Sequence, residues 1–342
     1  MNKILYIDVI CADGHINFNK IYINTLIKSN DDVKLILKKG YAKKMGFNSK
    51  FILFELPKFL FYDFKKIPFI NRLMMTISLI YINLRILFKN YSNIYIGSYE
   101  EISFFCSFFS KKTILINHNN ISGLSNRVKR FFFIKLSRKH TMLVFNNKIR
   151  DYLYELNIKN VIVKPHGLPE VFSQNIIYSI RKHNEKIIFL PSHNSIDVNF
   201  IDDAFSNEMF LSLLKDYNFK IVKKGGTVYK DSNIVTIDKV LGYEEYKSIF
   251  LESDIILLPY PSTFKFRVSG VLHECFVNNK LCLLSNIDAF RVYEGNFIYN
   301  PFFSDIDDLC QRLLELMTSF LSEESYNKNF YKNLSELKPI FE

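Results

Sequence analysis

The stretch 254–286, DIILLPYPSTFKFRVSGVLHECFVNNKLCLLSN, indicates how the chain folds. Its two apolar runs, DIILLPY and KLCLLSN, predict buried strands, because each is short, continuous and bounded by polar or Pro residues. Between them, a loop leads into a short helix that begins near Ser269. A strand, a helix and a second strand in this order are typical of a parallel sheet in an α/β protein.

The same order recurs along the chain. Further strands are predicted in both halves, at 3–10, 32–39, 93–98, 112–119, 141–147, 160–167, 186–192, 219–226 and 232–240. A polar stretch near 173–185 separates the first six from the last three, which puts the junction near 168–185. The 342 residues exceed what one compact core usually holds. The chain is therefore expected to form two α/β halves.

Composition narrows the class of protein. The chain has 45 Lys and Arg against 34 Asp and Glu, a formal charge of +11, which favours anionic partners without choosing among them. Five scattered cysteines without a CxxC pair indicate reduced thiols. The N-terminal apolar run is broken by Asp8, so a signal peptide is not expected.

The helix that begins near Ser269 has the features of an anion site. Ser is a good N-cap, Gly270 lets a ligand approach the backbone, and the N–H groups at residues such as Val271 point outward. Arg267 adds a cation, and Glu274 lies one turn along the same face, within reach of hydroxyls next to a phosphate. A capped surface helix with an ordinary glutamate is the alternative.

Residues 230–290 resemble the C-terminal half of GT-B-fold glycosyltransferases, and are similar to retaining family 4 in the strand ending DIILLPY and the G-x3-E helix. The segment NKIRDYLYELNIKNVIVKPHGLPE resembles the end of the family's N-terminal domain. The resemblance implies an α/β GT-B fold of two Rossmann-like domains facing across a cleft. It implies an acceptor domain at 1–170, a nucleotide-sugar domain at 171–325, and a segment at 326–342 that packs back on the first domain.

The resemblance also assigns residues. Arg267, Ser269, Gly270, Val271 and Glu274 would bind the donor. The family's Glu eight residues before Glu274 is Phe266 here, and its diphosphate-binding Arg and Lys are not evident after the second domain's first strand. Arg267 and Lys223, or its neighbour Lys224, are the expected substitutes.

Three polar residues are candidates for acceptor chemistry. Asp13 and His15 lie in the loop after the first strand, and His118 follows the strand TILIN. A carboxylate or imidazole there could deprotonate an acceptor hydroxyl, or orient the sugar in a retaining enzyme. His166, near the hinge, would touch the sugar or cap a turn. Structural histidines are the alternative for each.

No cofactor or metal is expected. The DID at 305–307 matches a D-x-D metal pattern, but it precedes a helix and is better interpreted as an N-cap with acidic neighbours. A P-loop and a G-x-G-x-x-G fingerprint are both absent, which argues against kinases and dehydrogenases.

Two aromatic and basic stretches, FILFELPKFLFYDFKK and KRFFFIKLSRK, suggest a face that meets anionic lipid. The alternative is that their Phe residues lie in the core and their Lys residues in solvent. The apolar region 67–88 contains Arg72 and Arg85, which favours a buried or membrane-facing amphipathic helix over a spanning one.

The resulting interpretation is a metal-independent hexosyl- or deoxyhexosyltransferase. It would act on a glycan, lipid-linked in the synthesis of a surface polysaccharide such as O-antigen or capsule, in the cytoplasm or peripherally at the inner membrane face. The alternatives are a nucleotide-sugar epimerase of the same fold and a non-enzymatic polyanion- or membrane-binding protein. No nucleic-acid motif is present.

Overall fold

The computed structural model describes residues 3–29, 32–61, 67–173, 179–182, 184–191, 196–225, 228–229, 231–239, 241–321 and 328–339. The chain divides into two compact units. The first unit consists of Met1–Gly167, Phe266–Val268 and Glu336–Glu342, and the second of Leu168–Lys265 and Ser269–Ser335.

The first unit is a parallel seven-stranded sheet in the order β3-β2-β1-β4-β5-β6-β7, covered by helices. Buried apolar strand residues such as Leu5, Ile7 and Ile96 form the centre of its core. The elements are β1 (Lys3–Asp8), α1 (Ile16–Ser29), β2 (Asp32–Lys38), α2 (Tyr41–Lys44), β3 (Ile52–Leu56), α3 (Pro68–Ile86), β4 (Asn93–Ser98), α4 (Glu101–Cys106), β5 (Ile114–Ile116), α5 (Arg127–Ser137), β6 (Thr141–Val144), α6 (Asn147–Glu155) and β7 (Val161–Val163).

The second unit repeats this topology in a parallel six-stranded sheet of order β10-β9-β8-β11-β12-β13. In both sheets the first strand lies inside and the order reverses beside it, as in Rossmann-like folds. The prediction of two Rossmann-like α/β halves is confirmed. The elements are β8 (Lys186–Leu190), α7 (Val198–Ala204), α8 (Glu208–Asp216), β9 (Phe219–Lys224), β10 (Ile234–Ile237), α9 (Tyr243–Glu252), β11 (Ile255–Leu258), α10 (Gly270–Val277), β12 (Leu281–Ser285), α11 (Asp288–Arg291), β13 (Phe302–Phe303) and α12 (Ile306–Ser319).

Polar caps explain where several helices begin. Asn126, Asn146 and Asn207 each accept a hydrogen bond from a backbone N–H in the first turn of the helix that follows. The DID motif behaves in the same way, because Asp305 Oδ1 accepts from the Asp308 N–H at 2.8 Å and starts α12. Asp305 therefore serves as the expected N-cap.

The stretch FILFELPKFLFYDFKK does not form one surface segment. Its first part is β3, an edge strand of the first sheet, and Leu56 in it is fully buried. An apolar run of only five positions, interrupted by Glu55, is a weak strand signal, and it went unrecognised beside so many aromatics. Residues 62–66 of this stretch lie outside the described residues.

The region 67–88 forms α3. Its window Phe69–Ile86 is long and apolar enough to cross a membrane by length and composition, and 22% of that window is buried. One such helix among the described residues is weak evidence for a span, because core helices of soluble proteins also pass this test.

Gly167 ends the first unit's main segment with a backbone that only glycine adopts readily. Its φ is +90°, and a Cβ added there would lie 2.5 Å from Ile21 Cγ2 and 3.2 Å from Pro339 Cδ. Just before it, the hydroxyl of Tyr22 donates to the Pro165 carbonyl at 2.7 Å. Residue 167 therefore lies tightly between α1 and the returning segment at Pro339.

Gly167→Ala is expected to lower the free energy of unfolding by more than the roughly 1–2 kcal/mol that a left-handed backbone costs an L-residue, because the new methyl group also overlaps Ile21. Gly40→Ala is the matched control, since Gly40 has φ +82° and open space where a Cβ would stand. Urea unfolding of both variants measures the difference. Equal losses would show that the close contact at Gly167 is relieved without cost.

Candidate functional site

Asp8 is a fully buried carboxylate at the carboxyl end of β1. Its Oδ1 accepts from the backbone N–H groups of Ile10 and Cys11 at 2.9 and 2.8 Å. Its Oδ2 accepts from Asn19 Nδ2 at 2.7 Å and from the Ser98 hydroxyl at 3.3 Å. Four donors therefore compensate the loss of hydration and fix the start of the loop that leads to α1.

This arrangement determines the tautomer of His15. The Ser98 hydroxyl hydrogen points to Asp8, so Ser98 Oγ accepts from His15 Nδ1–H across 3.1 Å. With its proton on Nδ1, neutral His15 presents an unprotonated Nε2, which is the form a general base requires. Burial lowers the pKa of His15 from 6.5 while the nearby Asp8 opposes that shift, so the ring is neutral at pH 7.

His118 belongs to the same group of side chains. Its ring stacks on His15 with centroids 4.3 Å apart, and Phe18 meets it edge-on at 4.2 Å. Burial lowers the pKa of His118 well below its usual range, with His15 and His166 adding to the effect and a hydrogen bond to the Gly97 carbonyl opposing it. Among the described residues, no group pairs with its enclosed Nε2.

The structure brings together two of the three predicted catalytic residues, His15 and His118. Asp13 begins the 3-10 helix Asp13–His15, but its side chain lies outside what the structure describes. His166 approaches the group through Phe18, at a centroid distance of 4.8 Å. Asp8 and Ser98 were not identified from sequence, although Ser98 ends the predicted strand 93–98 and Asp8 lies within the predicted strand 3–10. In the structure they end β1 and β4 and pair in register.

In the second unit, α10 begins where the sequence indicated. Ser269 is the N-cap, and its hydroxyl accepts from the Leu272 N–H at 3.3 Å. Among the described residues, the N–H groups of Gly270 and Val271 have no acceptor. A Cβ on Gly270 would meet nothing within 4 Å, so this helix end is open to a ligand with its positive dipole end outward.

Glu274 lies one turn along α10 from Gly270. Its Oε2 accepts from the hydroxyl of Tyr246 on α9 at 2.5 Å, and the residue is only 8% exposed. Burial and the carboxylate of Glu274 raise the pKa of Tyr246 well above its usual range, so Tyr246 remains a donor. Tyr246 therefore fixes the orientation of the carboxylate that the sequence assigned to a ligand hydroxyl.

The residues just before α10 belong to the first unit. Phe266 stacks on Tyr152 with centroids 4.2 Å apart, and Val268 packs against buried residues of that unit. Arg267 Nε donates to Ser122 Oγ at 3.4 Å. Arg267 thus has a contact within the first unit, and its role at the start of α10 stays a prediction.

Lys223 lies near the end of β9, paired in register with Leu190 of β8. It is 2% exposed, and its Nζ lies 5.0 Å from the centroid of the Tyr229 ring. Burial lowers the pKa of Lys223 and Asp202 opposes the shift. All strands of this sheet are parallel, so Lys223 lies at the same sheet edge as the end of β11, two strand spacings or about 10 Å away.

Comparisons with solved structures identify the fold. The UDP-GlcNAc 2-epimerase from Methanocaldococcus jannaschii is similar over 99% of this chain and 98% of its own, with 11% identity and a TM-score of 0.61. Anabaena HepE in complex with UDP and glucose is similar over 93% and 90%, with 10% identity and a TM-score of 0.62. A glycosyltransferase from Rickettsia africae covers 93% and 88%, with 13% identity and a TM-score of 0.56.

The fold is GT-B. No known protein-family profile matches the chain, and no curated protein matches it in sequence. At identities of 9–13% the likeness to the solved structures shows the fold alone.

Two histidines with lowered pKa values, His118 and His140, make stability depend on pH. Folding holds the pKa of His118 well below the unfolded value near 6.5, and that of His140 at about 4. The unfolded chain therefore binds more protons below pH 6.5, and the free energy of unfolding is expected to fall as pH drops from 7 to 5. Each histidine that stays neutral in the folded state contributes up to about 1.4 kcal/mol per pH unit to this slope.

Denaturant titrations of the wild type, His118→Phe and His140→Phe over this pH range measure the slope. Each variant is expected to have a shallower slope than the wild type, whatever its absolute stability. A slope unchanged in His118→Phe would mean that His118 takes up a proton in the folded state.

Proposed function

We propose that the protein is a glycosyltransferase that moves a sugar from a nucleotide-sugar donor to a hydroxyl group of a glycan. The observation that carries this proposal is the start of α10. There, two N–H groups without described acceptors, an open glycine and an oriented carboxylate one turn along the helix offer a phosphate site beside a hydroxyl site.

In the proposed complex, the diphosphate of the donor contacts the N–H groups of Gly270 and Val271. Glu274, oriented by Tyr246, accepts hydrogen bonds from the ribose hydroxyls. The helix terminus neutralises charge that develops on the leaving diphosphate, so the proposal needs no divalent metal. Lys223 at the same sheet edge is a further donor-side candidate, as the sequence suggested.

The acceptor chemistry is assigned to the first unit. His15 has the geometry of a general base, because Asp8 and Ser98 hold its proton on Nδ1 and leave Nε2 able to accept the proton of an acceptor hydroxyl. His118, stacked on His15 with its own Nε2 enclosed, would hold that ring in position. Asp13 stays in the proposal as a neighbour on the same 3-10 helix.

The acceptor is proposed to be a glycan, lipid-linked in the assembly of a surface polysaccharide, and the enzyme cytoplasmic or peripheral at the inner membrane face. These finer assignments, like the likeness to retaining family 4, rest on the sequence resemblance. Phe266, which stacks on Tyr152, stands where that family has a glutamate. The anomeric configuration of the product would decide whether the outcome is retaining.

An epimerase is the second candidate, because the UDP-GlcNAc 2-epimerase of Methanocaldococcus jannaschii matches almost the full length of both chains. An epimerase rearranges or hydrolyses its nucleotide-sugar without an acceptor. Incubation of the protein with single nucleotide-sugars in the absence of glycan distinguishes the two. Rapid donor turnover under those conditions favours the epimerase.

Glu274→Gln is expected to weaken binding of a nucleoside diphosphate by roughly 1–3 kcal/mol, the range for losing a hydrogen bond to a charged group. Tyr246→Phe keeps the carboxylate of Glu274 but removes the hydrogen bond that orients it, so a smaller loss of nucleotide affinity is expected. Gly270→Val is expected to leave the fold intact, because its new side chain meets open space, yet to obstruct the diphosphate. Calorimetry with UDP, GDP, ADP and dTDP, with and without EDTA, measures these affinities.

Glu208→Gln on α8 is the matched control, since Glu208 is an exposed glutamate in the first turn of another helix of the second unit. Its affinity is expected to equal that of the wild type. The donor assignment fails if no nucleoside diphosphate binds, or if Glu274→Gln and Gly270→Val bind as tightly as Glu208→Gln.

His15→Ala is expected to lower kcat by about 10²–10⁴-fold with diphosphate affinity unchanged, the range for losing a general base. Ser98→Ala leaves the imidazole present but its tautomer unfixed. A loss on the order of tenfold in kcat, equivalent to one hydrogen bond, is expected there with KM for the donor unchanged. Kinetics with a transferable donor test both variants, and near-normal turnover of His15→Ala would remove it from the mechanism.

A further inference from the structure

Helix α3 exposes a continuous apolar stripe. Phe69, Leu73, Ile77, Ile80 and Leu84 are 73%, 48%, 42%, 39% and 65% exposed. Their spacing of three or four residues places them on one side of the helix, within about 100° of arc. A polar exposed face is usual for a surface helix of a soluble domain, so this stripe is what needs explaining.

The opposite side of α3 is buried in the first unit. Leu79, Ile82 and Ile86 are fully buried and belong to its core cluster. The helix is also tied to the α4 region, because Ser103 Oγ donates to the Arg72 carbonyl at 3.3 Å and Asn83 Oδ1 accepts from the Ser110 N–H at 3.1 Å. A helix held in this way lies along a surface, and crossing a bilayer would require it to leave the core.

The apolar surface extends beyond the stripe. At the end of α3, Phe88 is 93% exposed, and Asn83 Nδ2 donates to the carbonyl of Phe108, which is itself 77% exposed. On α5, Phe131 is 54% exposed and has Lys135 Nζ 5.4 Å from its ring centroid. Helix α4 connects the two, since Phe105 packs on Phe132 with centroids 5.0 Å apart.

The charge around this surface is mostly positive. Residues 67–140 contain eleven Lys and Arg but only two acidic residues, Glu100 and Glu101. Glu100 pairs with Arg72 at 3.2 Å, and Glu101 is 2% exposed and accepts from Asn120. Helices α3 and α5 contain no acidic residue. Exposed aromatic side chains with basic neighbours, the combination that contacts anionic lipid, are therefore present with little opposing charge.

We propose that this face, formed by the outer sides of α3 and α5 with Phe88 and Phe108, docks onto an anionic phospholipid membrane. The stripe of α3 lies in the interface plane, where its apolar side chains enter the headgroup–acyl boundary. Arg85, Lys89 and Lys135 attract the lipid phosphates. The proposal concerns a surface of the first unit and does not depend on the assignment of glycosyl transfer.

Vesicle co-sedimentation tests the proposal with the full chain. Vesicles of phosphatidylcholine with 30% phosphatidylglycerol, roughly an anionic bacterial-type surface, are compared with pure phosphatidylcholine. The wild type is expected to bind the anionic vesicles more than tenfold better, and added salt should weaken that binding. Equal binding to both kinds of vesicle, or none to either, would overturn the proposal.

Ile77→Glu/Leu84→Glu places two carboxylates in the stripe and is expected to lower binding at least tenfold. The matched control is Val198→Glu/Met209→Glu, which makes the same change at apolar residues of the second unit that are 53% and 49% exposed. The control is expected to retain near wild-type binding. An equal loss in both variants would show that net charge alone drives association.

Lys89→Glu/Lys135→Glu tests the basic component against Lys182→Glu/Lys215→Glu, exposed lysines of the second unit. At about fivefold per lysine near a charged membrane, the first pair is expected to lose more than tenfold and the second little. The alternative occupant of this face is a second copy of the chain, and analytical sedimentation without lipid tests it by measuring the oligomeric state. A dimer that Ile77→Glu/Leu84→Glu converts to monomer would replace the membrane proposal.

Nucleotide affinity, measured in parallel, separates the two proposals. Loss of vesicle binding with unchanged diphosphate binding concerns only the α3 and α5 face. Circular dichroism of each variant shows whether it is folded, and if Ile77→Glu/Leu84→Glu does not fold, Ile77→Ser/Leu84→Ser replaces it.

Discussion

A carboxylate without solvent contact determines how the first unit is arranged around its central strand. Asp8 needs donors because burying an uncompensated charge costs far more than a single hydrogen bond provides. It obtains them from the loop after β1, from Asn19 on α1 and from Ser98 at the end of β4. These hydrogen bonds therefore couple three features: the conformation of the loop after β1, the position of α1, and the approach of the ends of β1 and β4. The tautomer of His15 follows from that coupling.

The two units use the same topology in different ways. At the carboxyl ends of its strands, the first unit presents side chains, with Asp8, Ser98 and His15 joined in one hydrogen-bonded series. The second unit presents backbone at the start of α10, supported by Ser269 and Glu274. Side-chain groups can change protonation state during a reaction, whereas helix N–H groups supply a fixed positive field. The proposed division between proton transfer and phosphate binding rests on this contrast.

Local sequence patterns were sufficient to predict most of the helices and strands. Continuous apolar runs such as NIYIGS coincide with β4, and the Ser-Gly pair at 269–270 marked the start of α10, since strand length and N-capping are encoded within a few residues. β3 was missed because its short run lies among aromatics. The contacts that define the candidate sites were less accessible. Ser98 joins Asp8 from 90 positions away, and Arg267 lies against the first unit, because both depend on how distant segments pack.

The passage of the chain through the first unit has a consequence for its synthesis. Val268 packs into that unit, and Pro339 lies beside Gly167, so residues made long after β7 complete it. Translation is vectorial, and domains generally fold as they emerge. The seven-stranded sheet can form early. While the second unit is translated, however, the first unit still lacks the packing of Val268 and Pro339. The nascent chain thus carries an incomplete first unit, with apolar surface available to chaperones, until the region around Pro339 has left the ribosome.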